Sequence, residues 1–204
     1  MRHFTFKALT VPAASVLAAT LAFATPAPAQ EQAAAEPAAT MPDEAVAPID
    51  RLFAELKRES DARKAERISQ RIWARWRDSG SATANLLMQW ADKAVADKNN
   101  SLALDLLDQV VVLMPDFAEG WNRRATLHYT MGNHAKSMAD INRVLSLEPR
   151  HFGAMAGMAA ILDAAGNDAL ALRAWEQMLQ VYPANHQAQE KVGELADKLA
   201  GSKT

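Results

Sequence analysis

The sequence predicts an all-α fold, a solenoid of stacked helix hairpins, and three observations carry that prediction. A 34-residue period organises most of the chain, apolar residues step by three and four within each half-period, and no segment keeps up the period-two alternation of a half-buried strand. The period is read from three ladders. Pro115, Pro149 and Pro183 are spaced by it, as are the small residues Ala91, Ala125 and Ala159, and then Ala103, Ser137 and Ala171. Large apolar sites follow the same frame: Leu87, Trp121 and Met155; Leu107, Ile141 and Trp175; Leu113, Leu147 and Val181.

Each unit divides into two helices around a tight turn. Gly132 and Gly166 stand midway between successive prolines, where glycine tolerates the left-handed backbone that ends a helix. In the unit they divide, Trp121, Ala125 and His128 form one buried stripe, and Met138, Ile141, Val144 and Leu145 the next. The small residues of the two helices face each other and let the backbones approach, while the proline lacks the amide that would continue the second helix. The units run 84–117, 118–151 and 152–185. The first is worn, with Lys98 and Asn99 at the turn where glycine is expected.

This pattern of large residue, small residue, glycine, alanine, aromatic and proline resembles the tetratricopeptide repeat, most closely in 118–151 and 152–185. The resemblance implies a right-handed stack whose concave groove is lined by the first helix of each pair. It also implies that Arg124 pairs with an aspartate of the second helix, and Asp140 stands at the matching place.

The segments outside the repeats read as follows. Residues 1–29 carry Arg2 and Lys7, an apolar run from Ala8 to Ala24 and the small residues Ala27-Pro28-Ala29, the pattern of a cleaved secretory signal; export to the periplasm, or secretion, is expected, with no stable membrane insertion after cleavage. Residues 30–48 form an Ala/Pro/Glu linker. Residues 49–83 hold a helix pair, with Leu52, Phe53, Leu56, Ala65, Ile68 and Ile72 on apolar stripes, read as a degenerate starting repeat. Its Trp73 and Trp76 are expected to meet the first full repeat. Residues 186–204 form a capping helix and tail, apolar at Val192, Leu195 and Leu199 and polar elsewhere, because the end of a stack must face water.

Composition narrows the chemistry. Losing two of 22 bases with the signal leaves 20 against 24 acids, a formal charge of −4 that draws in neither nucleic acid nor an anionic membrane. Cysteine is absent, which removes thiol nucleophiles, disulfides and thiolate metal sites. His128, His134, His151 and His186 show no i, i+4 pair aimed at one metal, and neither a Gly-x-Ser-x-Gly elbow nor a glycine-rich phosphate loop occurs. No cofactor is expected. Trp90, Trp121 and Trp175 are assigned to repeat core positions.

Function is therefore sought in the groove, whose lining is read as Asn85, Met88, Asp92, Glu119, Asn122, Thr126, Tyr129, Ala156, Ala160 and Asp163, extended by Glu190 and Glu194. Chaperone-binding tetratricopeptide domains clamp a peptide's terminal carboxylate with lysine and asparagine, and Met88, Asp92 and Ala156 occupy those places here. The expectation is a non-catalytic scaffold for a protein or peptide partner in the cell envelope. The alternatives are an enzyme or enzyme subunit using groove carboxylates, which would need paired, desolvated acids, and a structural homo-oligomer.

Overall fold

The computed structural model describes residues 48–201; the signal and all but the last residue of the linker lie outside them. The described residues form nine helices and no strand. These are α1 (Ile49–Arg58), α2 (Ala62–Trp76), α3 (Ala82–Ala96), α4 (Asn100–Leu113), α5 (Ala118–Thr130), α6 (His134–Leu147), α7 (Phe152–Ala164), α8 (Asp168–Val181) and α9 (His186–Gly201).

The three repeats are the hairpins α3–α4, α5–α6 and α7–α8, and each second helix stops two residues before its proline. The turns use the left-handed backbone at Gly132 (φ 75°), Gly166 (φ 73°) and, in the worn unit, Lys98 (φ 58°). Side chains start several helices by accepting a free amide: Ser81 from Ala84, Asn99 from Leu102 and Asn185 from Ala188. At the middle crossing the Ser137 hydroxyl donates to the Ala125 carbonyl at 2.8 Å, a bond that two small residues permit by bringing the backbones together. Ala125, Ala159 and Ala171 are buried between helices, and Trp175 is enclosed.

α1 and α2 form where expected but pack elsewhere. Leu52, Phe53, Leu56, Ala65, Ile72 and Trp76 share one apolar core with Phe152, Met155, Trp175 and Tyr182 of the third repeat and Leu195 of α9. They do not stack in front of α3 as a starting repeat. The cause is aromatic complementarity and room. Trp73 and Trp76 lie at 5.3 and 4.9 Å from the Phe152 ring, and Gly153 leaves a gap that Trp73 fills, since a Cβ there would stand 2.6 Å from the indole. Polar contacts fix the register: Tyr182 donates to Glu66 at 3.1 Å, and Arg150 bonds Asp50 at 2.7 Å while its guanidinium covers the Phe53 ring.

The tryptophans divide accordingly. Trp175 is core; Trp121 is half-buried, donating to the Pro115 carbonyl at 2.9 Å beneath Arg124 and Arg143. Trp90, assigned to the core from sequence, is 51 % exposed. It lies on the flank of α3 that no described helix covers.

Candidate functional site

The first helices α3, α5 and α7 line the concave side, and the clefts between them depend on how much each side chain fills. Between α3 and α5 a cleft of about 310 Å³ has apolar walls, Ala91, Val95, Leu107 and Leu127, and a polar rim of Asp92, Arg123, Thr126 and Thr130. Between α5 and α7 a smaller one of about 110 Å³ is bounded by Thr126, Tyr129 and Ile141, with a floor of Gly153, Ala154 and Gly157. Thr126 borders both, so the two clefts adjoin. At the head of the trough the end of α2 supplies a wall: Ala74, Arg77 and Asp78 face Asn85, Met88 and Asp92 across a third space of about 320 Å³.

The structure divides the groove residues expected from sequence into two sets. Asp92, Thr126 and Tyr129 are exposed, and Asn85, Ala156, Ala160 and Asp163 are half-exposed; these form surface. Met88, Glu119 and Asn122 are buried: Met88 and Asn122 still border the third space and the α5–α7 cleft at their floors, whereas Glu119 lies beneath the surface. Met88 joins the core of the first hairpin. Asn122 donates one N–H of its side-chain amide to Glu119 at 2.8 Å, which holds the side chain against the carboxylate. Glu190 and Glu194 are exposed on α9.

Glu119 is the hub of a buried polar cluster. Its carboxylate accepts from Asn122 and, at 2.9 Å, from Arg123, and it stands 3.5 Å from His151 Nε2. Burial works to raise its pKa, but the neighbouring imidazole and guanidinium outweigh that and hold it below the usual carboxylate range. His151 is wholly buried at the start of α7, where its Nδ1 accepts the Ala154 amide at 3.1 Å. Nε2 therefore carries the proton, and it stands 3.5 Å from the Glu119 carboxylate without a hydrogen bond of its own. The other arm of Arg123 donates to Asp92 at 2.9 Å, so one guanidinium bridges α5 to α3 across the cleft rim. Sequence reasoning passed over Arg123 as a site residue. Its i, i+4 spacing from Glu119 was visible, but its reach to Asp92 depends on the distance between hairpins.

Arg124 behaves as the resemblance implied. It binds Asp140 through two bonds of 2.8 and 2.7 Å and adds Asp108 at 2.7 Å, so it ties α5 to both second helices that flank it. The bonds to Asp140 raise its pKa against the opposing cost of burial, and it is a structural cross-link. Beside it His128 is buried with an unpartnered Nδ1; loss of hydration pulls its pKa down, partly offset by Asp140. Among the described residues no cluster of three His, Cys, Asp or Glu side chains is placed to hold a metal ion, and no helix is long and apolar enough to cross a membrane.

Comparison with known proteins accords with this architecture. No family model matches the chain. A TPR repeat-containing protein of Rhizobium etli is 60 % identical over 156 residues, covering 76 % of each chain. Among solved structures, the first TPR domain of Spaghetti (RPAP3) bound to the HSP90 peptide SRMEEVD superposes with a TM-score of 0.55 at 20 % identity, over 59 % of this chain and 98 % of that one. The TPR2B domain of yeast Sti1, in a complex with an Hsp70 peptide, gives 0.53 at 15 % identity, over 58 % and 99 %. Those two likenesses speak to the fold alone, whereas the bacterial relative extends through most of the chain at high identity. With the 34-residue frame and its hairpins, it places this chain in the tetratricopeptide-repeat family.

Proposed function

We propose that the protein is a non-catalytic scaffold of the cell envelope that holds an extended segment of a partner protein in the concave trough. The observation that carries this reading is the pair of adjoining clefts meeting at Thr126. Apolar walls at Ala91, Val95 and Leu127 give a side chain somewhere to go, and the rim of Asp92, Arg123 and Tyr129 offers polar anchors. That the two structural neighbours are complexes with chaperone sequences supports a peptide-like partner, and the secretory pattern of residues 1–29 supports the location.

Use of groove carboxylates for catalysis would require acids held protonated by burial. The carboxyl groups whose acidity the fold shifts, Asp61, Asp78, Glu119 and Glu148, are all shifted toward the ionised form, which favours a binding role.

A photo-reactive amino acid at position 126 tests the reading directly. Crosslinks to a partner from position 126, and none from the convex position 142, are expected. Crosslinks from 142 alone would move the binding surface to the second helices.

A further inference from the structure

α2 carries positive charge along one side. Six bases and two acids stand between Asp61 and Arg77, whereas the rest of residues 30–204 holds 14 bases against 22 acids. Arg63, Arg67, Arg71 and Arg75 follow one another at four-residue steps, which on a helix makes a row rising about 6 Å from each to the next, with Lys64 beside it. The opposite side, Ala65, Ser69, Ile72 and Trp76, is buried. Like charges four apart repel and weaken a helix, and the core does not demand these, since Arg63, Lys64 and Arg67 are exposed. In the repeats Arg123, Arg124, Arg143 and Arg150 each bond a carboxylate. On α2 Arg71 has Glu55 at 3.7 Å, but no ion pair engages Arg63, Lys64 or Arg67 among the described residues. Of the acids close by, Glu66 already accepts from Gln70 and Tyr182, and Asp61 caps the helix.

The row lies along a furrow. A hollow of about 720 Å³ opens between Arg63 and Arg67 and the start of α9 at Asn185 and His186. A second, of about 380 Å³, opens between Lys64, Arg67 and Arg71 and Glu55 of α1. Arg67 borders both. We propose that this furrow is a second binding site, one that takes an acidic segment of a partner protein. The planar guanidinium fork matches a carboxylate, and in an extended segment every second side chain points the same way at about 6.7 Å, close to the step of the arginine row. A segment with an acid at alternate positions therefore meets Arg63, Arg67 and Arg71 in turn, and its charge offsets their mutual repulsion.

Two other anions fit the furrow less well. A single-stranded nucleic acid needs an aromatic face among the bases for stacking, and the two candidates, Trp73 and Trp76, are packed on Phe152 and His151. A flat anionic membrane would press on Glu55 and Glu66, which flank the furrow on either side, as much as on the arginines. A narrow segment passes between those carboxylates. None of Arg63, Lys64, Arg67 and Arg71 borders the trough clefts, so the site is independent of what the trough holds.

Fluorescence anisotropy with a labelled decapeptide alternating Glu and Ser, on the full chain as cells deliver it, tests the proposal. Saturable binding that weakens with added salt is expected, and none of a peptide alternating Gln and Ser. Arg67→Glu should weaken binding about tenfold or more, since a charged hydrogen-bonded pair is lost and a repulsion added. Its melting temperature should hold or rise, because two repulsive pairs on α2 become attractive. Arg63→Glu should act the same way. Arg173→Glu, the same charge change at an exposed position of α8, should leave the affinity unchanged. Equal binding of the Glu and Gln peptides overturns the proposal, as do equal losses from Arg67→Glu and Arg173→Glu, which mark a general charge effect. Phosphatidylglycerol vesicles or oligothymidylate bound more tightly than the Glu peptide, and released by Arg67→Glu, would overturn it in favour of a membrane or a nucleic acid.

Discussion

Trp76 lies flat on His151: the rings are 4.0 Å apart and within 13° of parallel. Trp73 meets the same imidazole edge-on at 5.4 Å, so two residues from the end of α2 enclose the first turn of α7. This contact joins the N-terminal helix pair to the seam between the second and third repeats, where His151 Nε2 stands 3.5 Å from Glu119.

Trp76→Ala should therefore loosen α1–α2 from the stack. Removing a buried indole costs about 3–5 kcal/mol at a site that cannot collapse. Limited proteolysis is expected to cut between α2 and α3 before the repeats unfold, with helix content in 84–185 largely kept. Cleavage no faster than in the unaltered chain would show that Phe53 and Arg150 hold the pair without it.

Arg124→Ala strands Asp140, which is buried with its two bonds gone. Loss of one partner from a buried pair costs about 3–5 kcal/mol, and the part exposure of Arg124 argues for the lower end. The double variant Arg124→Leu with Asp140→Ala should recover much of the loss, because neither charge is then left alone. Chemical denaturation of the three proteins measures it.

Lys98→Gly is expected to stabilise the first hairpin. A side chain in the left-handed region costs roughly 1–2 kcal/mol, and the added freedom of glycine in the unfolded chain returns about 0.4–1 of it, leaving a small net gain. A rise of a few degrees in melting temperature checks this, whereas Gly132→Ala at the equivalent turn should lower it.

Acidification should weaken the fold in two stages. The pKa of His128 is lowered from 6.5 by folding, so the unfolded chain binds that proton first; stability is full above about 6.5 and falls as pH drops below it. Glu119 and Glu148 are lowered from 4.5, so the unfolded carboxyls also take protons first, and a second loss begins below that value. His128→Gln should flatten the upper stage and leave the lower one. A profile still falling between pH 6.5 and 5 in that variant would point to another histidine.

Thr126→Arg and Tyr129→Ala should weaken partner capture with folding intact, since both side chains are exposed on the trough. Tyr129 is the stronger site: truncating a hot-spot tyrosine removes about 2 kcal/mol of binding energy. Asn122→Ala, by contrast, should lower thermal stability, because it takes a bond from the buried Glu119. Calorimetry alongside a quantitative crosslinking assay separates the two effects.

Much of the fold was legible before any coordinates. The prolines, the glycines and the paired small residues are local or strictly periodic signals, and backbone sterics act on them wherever they occur. Arg124 with Asp140 was legible for the same reason, since the repeat carries both positions together. The groove was legible only in outline. Thr126 and Tyr129 reach the surface, but Glu119, Asn122 and Met88 share their side of the helices and are buried, because the depth of a trough depends on the separation of neighbouring hairpins.

By itself, then, the sequence determined the helices, their hairpin pairing, the turns and the end of each unit, all of which follow from conformational preferences within one repeat length. The tertiary structure decided where α1–α2 rests, which tryptophans are core and which first-helix residues face solvent. Those outcomes turn on contacts between segments distant in the chain, such as Trp73 against Gly153. An apolar stripe states that a face must be covered but not by which neighbour; shape and aromatic complementarity choose among the candidates. For α1–α2 they chose Phe152 of the third repeat and His151 just before it, leaving Leu86 and Trp90 of the first uncovered.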